Sequence, residues 1–424
     1  MSIALSLGLL LFLLLLSLPV VSALGLAAFL APVLGEPINS SSIIRTMLTA
    51  MDSFPLLAVP LFILAGEIMT RGGLAQRLFY LADVMVGRFT GGLAMATVLA
   101  CLFFGAISGS APATVAAIGS MSIPILVSRG YEKPFATALV ICAGTLGVII
   151  PPSIPLIIYG AAANVSVGKL FIAGIFPGFV VGFSLLVYAY IYGRMHKHHI
   201  TTSGSDVSAW QTLKNSVWAL FTPVIVLGGI YSGVFTPTEA AAIAVAYGLF
   251  VAVVIYGEIK FSEIPSVVSS AVTTIAPILI IAAAGTAFGR VLTLMQAADF
   301  IGHYVNNVVA GPIALLLLIN ILLIFIGMFM EKLASIIVMT PILLPLVVPY
   351  GIDPIHFGLI MVVNLAIGFI TPPVGVNLYI GSEISGIPVM KVARHIVQPV
   401  CFLLIALALI TYIPAISTWL PAHF

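Results

Sequence analysis

The chain has 424 residues, of which 62% are hydrophobic and only 7% are charged, and its formal net charge is +2. Soluble domains carry about 25% charged residues, so a soluble fold could not cover this much apolar surface, whereas a lipid bilayer can. The small and scattered net charge excludes a nucleic-acid-binding surface, and the three cysteines lie inside apolar runs and indicate no disulfide framework.

The first apolar segment, residues 1–34, has no Lys or Arg at its start and is too long for the apolar region of a cleaved signal peptide. We expect it to be retained as the first membrane helix. Further apolar segments recur to the end of the chain, and a membrane span needs about 20 such residues. We place them at 55–70, 92–127, 136–163, 170–193, 216–235, 240–257, 265–289, 308–329, 333–350, 355–380 and 396–416.

Some of these segments are too long for one crossing, and others are interrupted by Gly and Pro. We therefore predict an all-α integral membrane protein with about 11 transmembrane helices plus two re-entrant hairpins. The apolar runs are continuous rather than alternating, which excludes a transmembrane β-barrel.

One long polar stretch, Arg194 to Asn215, divides the chain near its middle. We predict a linker at 201–215 between a first half, residues 1–200, and a second half, residues 216–424. Its Lys and Arg content favours the cytoplasmic side of the membrane.

The two halves contain an internal repeat. Six Gly and Pro residues recur 221 positions later with the same residue type. The pairs are Pro124 and Pro345, Gly130 and Gly351, Gly147 and Gly368, Pro151 and Pro372, Pro152 and Pro373, and Gly160 and Gly381. Six matches at one offset, including a Pro-Pro pair, are hard to obtain by chance, so each half is predicted to hold one copy of a structural repeat.

The Pro-Pro pairs predict a broken helix in each repeat, near 136–163 and near 355–381. Proline removes an N–H and clashes with the preceding turn, so carbonyls near the break lose their helical partners. Such groups cannot face lipid and must be buried or line a cavity, where they can hold a cation. Paired broken helices at matching positions are the best sequence indication of a transport site.

A second unusual segment precedes each broken helix. Small and hydroxyl residues at 104–114 predict a re-entrant hairpin near 100–128 with its tip at Ser108, Gly109 and Ser110. The counterpart near 320–349 carries Glu331 and Lys332 inside an apolar stretch, which implies polar or wet surroundings. The alternative is a short loop between two ordinary helices.

The motifs together resemble the large membrane subunit of the TRAP (tripartite ATP-independent periplasmic) transporters. The resemblance covers nearly the whole chain and is carried by the segments 63–69, 108–114, 147–155, 340–345 and 371–375. It implies two inverted repeats in an elevator-type fold of the bacterial inner membrane. It also implies sodium-driven import of a small organic anion, of the sialic acid or C4-dicarboxylate type, delivered by a periplasmic binding protein. A small four-helix membrane subunit is expected as a separate partner, because the chain has no spare four-helix segment.

The resemblance also implies two sodium sites, one at each tip and break, with mostly backbone carbonyl ligands. The expected sodium-site residues are Ser108, Ser110, Gly147, Ile150 and Pro152 in the first repeat, and Gly327, Gly368, Thr371 and Val374 in the second. The substrate is expected between the tips, at Ser110, Thr114, Asn377 and Glu331. Glu331 could instead pair with Lys332 or bind water or a proton, since an acid repels an anion.

Two other functional classes fit the sequence less well. A channel or passive scaffold subunit would show a continuous polar pore lining or a ring of charges, whereas the polar residues here concentrate at two matched places. An enzyme is not expected, because no histidine is placed as a base. The sequence has no phosphate-binding loop, so we expect that the chain does not use ATP to drive itself.

Overall fold

In a computed structural model of the chain, residues 2–16, 18–196, 209–308 and 311–423 are described, and this part is built from α-helices connected by short turns. The first half contains α1 (Ser2–Leu15), α2 (Val20–Val33), α3 (Ser40–Met51), α4 (Ala58–Arg71), α5 (Leu74–Val86), α6 (Gly92–Ser108), α7 (Ala111–Ser128), α8 (Lys133–Gly144), α9 (Leu146–Ile149), α10 (Ile154–Ala163) and α11 (Val167–Met195).

The second half continues with α12 (Ala209–Tyr231), α13 (Pro237–Leu249), α14 (Ile264–Leu294), α15 (Ala297–Val308), α16 (Pro312–Phe329), α17 (Lys332–Val347), α18 (Pro354–Gly368), α19 (Val376–Ser385), α20 (Val389–Tyr412) and α21 (Ala415–Thr418). Short 3-10 turns occupy Phe54–Leu57, Phe261–Glu263 and Val348–Tyr350, and a π-helical turn, Phe250–Ile255, extends α13.

Within the described ranges, nine helices are long and apolar enough to cross a membrane, or ten if the bent unit 133–163 is one span. Four further apolar helices, among them α6 and α18, are shorter than this length. The all-α, multi-pass membrane fold is thus confirmed, with a slightly smaller number of full-length spans.

The prediction of one helix over residues 1–34 is wrong, because this segment forms the two helices α1 and α2, which pack together. Pro19 immediately precedes α2. A proline has no N–H to donate and excludes its predecessor from helical geometry, so the first helix cannot run through it.

The described end of the predicted linker also differs from the prediction, since α12 begins at Ala209 and residues 209–215 are helical. The apolar residues Trp210 and Leu213 are three positions apart among polar ones, a spacing that fits the first turns of a helix at the membrane surface. Residues 201–208 of the predicted linker lie outside the described residues.

The repeat is visible as two matched sets of helices. In the first half, α6 and α7 form a helical pair that is followed by the broken unit α8–α9–α10. In the second half, α16 and α17 form the pair and α18 and α19 form the broken unit. Both pairs begin earlier than the predicted hairpins, at Gly92 and Pro312, because the apolar first arms are longer than the segments of unusual composition.

The broken units lie at the centre of the protein. Every residue of 135–160 and of 356–370 is buried, and the two buried runs begin at matching positions, since 135 + 221 = 356. By contrast, α12, α14 and the π-helical turn after α13 leave large apolar side chains exposed, as helices that face lipid do. The first break, at residues 150–153, is thus surrounded by protein, as backbone at membrane depth requires, whereas the second break is partly exposed at residues 371–374.

Candidate substrate and ion sites

The tip of the first helical pair is a tight turn between Ser108 and Ala111. Gly109 has a φ of +60°, which ends α6, and a Cβ at this position would lie 2.8 Å from the Pro152 carbonyl oxygen. Ser110 begins α7 as its N-cap, with its hydroxyl 3.5 Å from the Ala113 amide. The turn needs glycine both for the left-handed backbone and for the close approach to the break.

Three hydroxyl-bearing residues converge at this tip. The Thr114 hydroxyl donates to the Ser110 carbonyl at 2.8 Å, and the Ser108 and Thr114 hydroxyl oxygens are 3.0 Å apart. Ser108 is 1% exposed and Thr114 is fully buried. A buried tip of this kind favours a hairpin inside the protein over a loop at the aqueous surface.

The first break lies against this tip. The helical partners of the Gly147 and Val148 carbonyls would be the amides of residues 151 and 152, and both residues are prolines. The Ser153 hydroxyl donates to the Val148 carbonyl at 2.5 Å, and the Ile154 amide reaches the Gly109 carbonyl at 3.4 Å. The Pro151–Pro152 peptide bond is cis, as is its counterpart Pro372–Pro373.

Glycine permits the tip and the break to meet. A Cβ on Gly147 would lie 2.6 Å from the Ser110 carbonyl oxygen, and a Cβ on Gly105 would lie 2.9 Å from the Gly147 Cα. A side chain at position 105 or 147 would therefore push α6 away from the break. The predicted first group Ser108, Ser110, Gly147 and Pro152 is brought together by this contact, with the Ile150 side chain buried beside it at 8% exposure.

The second break repeats the glycine contact. A Cβ on Gly327 would lie 3.1 Å from the Gly368 Cα, and one on Gly368 would lie 2.7 Å from the Ile324 carbonyl oxygen. The Thr371 amide donates to the Gly368 carbonyl at 2.9 Å, and its hydroxyl donates to the Ile367 carbonyl at 2.7 Å. Val374 is 40% exposed, and only its backbone could serve an ion at this break because a valine side chain has no ligand atom.

Glu331 caps the second tip. It is the N-cap residue of α17, and its carboxylate accepts from the Leu333 amide at 2.7 Å and the Ala334 amide at 3.1 Å. The neighbouring Lys332 ammonium lies 4.1 Å from the centre of the Phe369 ring, in the second break. The carboxylate thus accepts hydrogen bonds from backbone amides that have no helical partner, and it neutralises the partial positive charge of the helix N-terminus.

Ser110 and Glu331 occupy equivalent positions of the repeat, because 110 + 221 = 331, and so do Thr114 and Ser335, because 114 + 221 = 335. The Ser335 hydroxyl donates to the Glu331 carbonyl at 3.0 Å, as the Thr114 hydroxyl does to the Ser110 carbonyl. The two tips therefore share one backbone design, in which a serine cap in the first repeat corresponds to a glutamate cap in the second.

A capping role makes a specific prediction for Glu331. The Glu331→Ala variant should lose about 1 kcal/mol of stability, a typical effect of removing an N-cap. The Glu331→Ser variant should retain most of it, since serine caps the matching helix of the first repeat. Thermal unfolding of the purified variants checks this, and equal destabilisation by both substitutions would contradict the capping role.

Asn377 lies in α19, just after the second break, and is fully buried. Neither its Nδ2 nor its Oδ1 has a hydrogen-bond partner in the described part of the chain. Its helix packs against α7, the second arm of the first helical pair. Buried polar groups are nearly always paired, so the unpaired amide makes Asn377 a candidate contact for a ligand.

Sequence reasoning missed one polar cluster beside the second break. Asn364 donates to the Asn320 side chain at 2.9 Å and to the Ile360 carbonyl at 2.7 Å, and Asn320 donates to the Thr411 hydroxyl at 3.1 Å. These residues connect α16, α18 and α20. Asparagine inside an apolar helix was the available signal, but neither asparagine has a counterpart at the repeat offset.

Comparison with known proteins identifies relatives of the whole chain. Residues 7–416 match the family described as the DctM component of the tripartite ATP-independent periplasmic transporter. The C4-dicarboxylate TRAP transporter large permease protein DctM of Pseudomonas aeruginosa is 44% identical over 399 residues, covering 94% of this chain and 93% of the relative. The sialic acid TRAP transporter large permease protein SiaM of Vibrio cholerae is 37% identical over 380 residues, covering 90% of this chain and 89% of its own length.

The isethionate TRAP transporter permease protein DctMQ of Oleidesulfovibrio alaskensis is also 44% identical over 399 residues, and this chain spans 63% of its length. Among solved structures, the Alcanivorax borkumensis YdaH transporter superposes with a TM-score of 0.67, covering 98% of each chain at 15% identity. At that identity the superposition shows a shared fold and nothing further.

Proposed function

The chain belongs to the DctM family of tripartite ATP-independent periplasmic transporters, and we propose that it imports a small organic anion with the energy of a sodium gradient. It is a multi-pass protein of the bacterial inner membrane and the large permease of its transporter, not an enzyme. The observation that carries the proposal is the repeated glycine contact between tip and break, at Gly105 with Gly147 and at Gly327 with Gly368.

One sodium ion is proposed at each of these contacts. The first site would use carbonyls near Gly147, Ile150 and Pro152 with the hydroxyls of Ser108 and Ser110. The second would use carbonyls near Gly327, Gly368 and Val374 with the Thr371 hydroxyl. Neutral oxygen ligands of this type suit a hard cation, and the prolines supply carbonyls that no helical amide occupies. The bound ions would couple the sodium gradient to substrate movement.

The substrate is proposed to bind between the two tips. The N-terminus of α7 is capped by the neutral Ser110 and keeps its partial positive charge, which favours an anion. Asn377 supplies an amide free to donate and accept, and Ser110 and Thr114 supply hydroxyl groups. Because Glu331 is occupied as a helix cap, we assign it the positioning of the second tip rather than direct contact with the anionic group.

The relatives' names indicate the class of substrate and the partners. They name isethionate, C4-dicarboxylates and sialic acid, which share an acidic group and differ in size. The term large permease implies a small membrane subunit, and the tripartite family implies a periplasmic binding protein that delivers the substrate. We further propose an elevator mechanism, in which the buried tip-and-break unit moves against the lipid-facing helices.

Uptake into proteoliposomes tests the proposal, using the chain with its small subunit and binding protein and a radiolabelled acid that the binding protein retains. An inward sodium gradient should drive accumulation of the acid, and a potassium gradient of the same size should not. Equal uptake under both conditions would contradict sodium coupling. Equilibration of the acid across the membrane without accumulation would favour a channel.

The hydroxyl ligands can be tested separately. Ser108→Ala and Thr371→Ala should each raise the sodium concentration for half-maximal uptake about three- to tenfold, the effect of losing about one hydrogen-bond-sized interaction. The loss is expected to be partial, since carbonyls remain. Ser120→Ala, on the exposed face of α7, is the matched control and should leave the sodium dependence unchanged.

A further inference from the structure

A separate cavity of about 240 Å³ lies between the end of α14 and the two helices α10 and α17. Thr286, Arg290 and Thr293 of α14 line one wall, and Ile158 and Ile337 lie in the opposite walls. Ser53 contributes from the turn after α3. Since α10 follows the first break and α17 follows the second tip, the cavity lies at the seam between a lipid-facing helix and the proposed transport unit.

Arg290 is the one ionisable residue among the described residues that line this cavity. The ion pairs in the described part of the chain are Arg71 with Glu67 and Arg77 with Glu258, so Arg290 has no carboxylate within 4.0 Å. Arg71 is its relative in the first half, at an offset of 290 − 71 = 219. Both halves thus carry an arginine at this place in the repeat, but only Arg71 is paired with a carboxylate of its own helix.

The hydrogen-bonding groups around Arg290 suit a carboxylate. A guanidinium presents its N–H donors in a planar fork that matches the two oxygens of a carboxylate. The Ser53 hydroxyl makes no hydrogen bond among the described residues and is free to donate to the same group. The hydroxyls of Thr286 and Thr293 already donate to carbonyls of their own helix, at 2.8 and 2.9 Å, and offer only acceptor positions.

The position of the cavity gives it access to water. With its 31 residues α14 is about 46 Å long, which exceeds a hydrocarbon core of about 30 Å. Arg290 stands four residues before the end of this helix at Leu294, and its long side chain can reach the interface. An anion could therefore enter without crossing the hydrocarbon core.

We propose that this cavity is a second anion site, where Arg290 holds the carboxylate of a small organic acid beside the transport unit. The proposal rests on the proposed function, which supplies an organic anion as substrate. The volume is below the range of about 300–1,000 Å³ usual for drug-sized ligands. It therefore suits an acid of about four carbons better than a nine-carbon sugar acid.

Protection of an introduced cysteine tests the site. The chain would carry Ser53→Cys in a Cys401→Ser background, since the other two native cysteines are buried. In nanodiscs of zwitterionic lipid, succinate should slow alkylation of this cysteine by a maleimide, and N-acetylneuraminate should not. Adding Arg290→Gln should raise the succinate concentration for half-protection roughly tenfold or more. Arg290→Lys should give an intermediate value, and Arg71→Gln is the matched control without effect.

Several results would overturn the proposal. These are absence of protection by succinate, unchanged protection in Arg290→Gln, or equal protection by the sugar acid. Protection by phosphatidylglycerol in the nanodisc, with none added by succinate, would assign the cavity to a lipid phosphate instead. The assay needs neither sodium nor transport, so failure of sodium-driven uptake would leave protection intact and the two proposals can fail separately.

Discussion

The Gly368→Ala variant is expected to lose most or all uptake activity. Its new methyl group would lie 2.7 Å from the Ile324 carbonyl oxygen and from the Gly327 Cα, both backbone atoms that cannot rotate away. Helix propensity favours alanine over glycine by about 1 kcal/mol, but forced overpacking costs about 1–3 kcal/mol and moves the backbone. The clash therefore outweighs propensity and separates the second hairpin from its break.

The same substitution at Gly147 should act in the same direction, because its Cβ would lie 2.6 Å from the Ser110 carbonyl oxygen. The control is Gly228→Ala in α12, where nothing lies within 4 Å of the added Cβ. At position 228 the higher helix propensity of alanine should leave the melting temperature unchanged or raise it, and uptake should be unchanged. Normal uptake by either Gly147→Ala or Gly368→Ala would show that the close contacts are not required for transport.

The Asn377→Leu variant should abolish uptake while holding or raising stability. The Asn377 amide is fully buried and has no partner in the described residues, and leaving such a group unpaired costs about 1–3 kcal/mol. Leucine has a similar size to asparagine and carries no polar group, so it removes the cost of the unpaired amide. It also removes the proposed substrate contact. Melting temperature and uptake, measured on the same preparation, should therefore diverge.

Asn364 provides the matched control, since it is another fully buried asparagine of the same repeat. Its amide donates to Asn320 and to the Ile360 carbonyl, so Asn364→Leu breaks two hydrogen bonds and leaves the Asn320 Oδ1 without this donor. Asn364→Leu should lower the melting temperature clearly. If Asn377→Leu proved the more destabilising of the two, Asn377 would be a structural residue with an overlooked partner.

The sequence predicted the elements that depend on local chemistry. A Pro-Pro pair interrupts a helix wherever it occurs, and α9 and α18 end shortly before Pro151 and Pro372. The turn at Gly109 was likewise signalled by a small residue between two serines. These features need no knowledge of the neighbouring helices.

Features that depend on packing could not be predicted in this way. The capping role of Glu331 became visible only when α17 was seen to begin at the next residue, because a carboxylate in an apolar run has several physical explanations. The Asn320–Asn364 hydrogen bond joins residues 44 positions apart, and no periodicity predicts such a pairing. The cavity at Arg290 likewise needs four separate segments to meet.

The adjacent Glu331 and Lys332 at the second tip have a consequence for the response to membrane voltage. With the carboxylate ionised and the amine protonated, the two side chains together carry no net charge. A membrane potential of 100 mV acts on each net charge with about 2.3 kcal/mol, so movement of this tip through the field would itself cost or gain almost nothing. The voltage would act only on the cargo. Two sodium ions with a dianion would be electroneutral, and two with a monoanion would carry one positive charge inward.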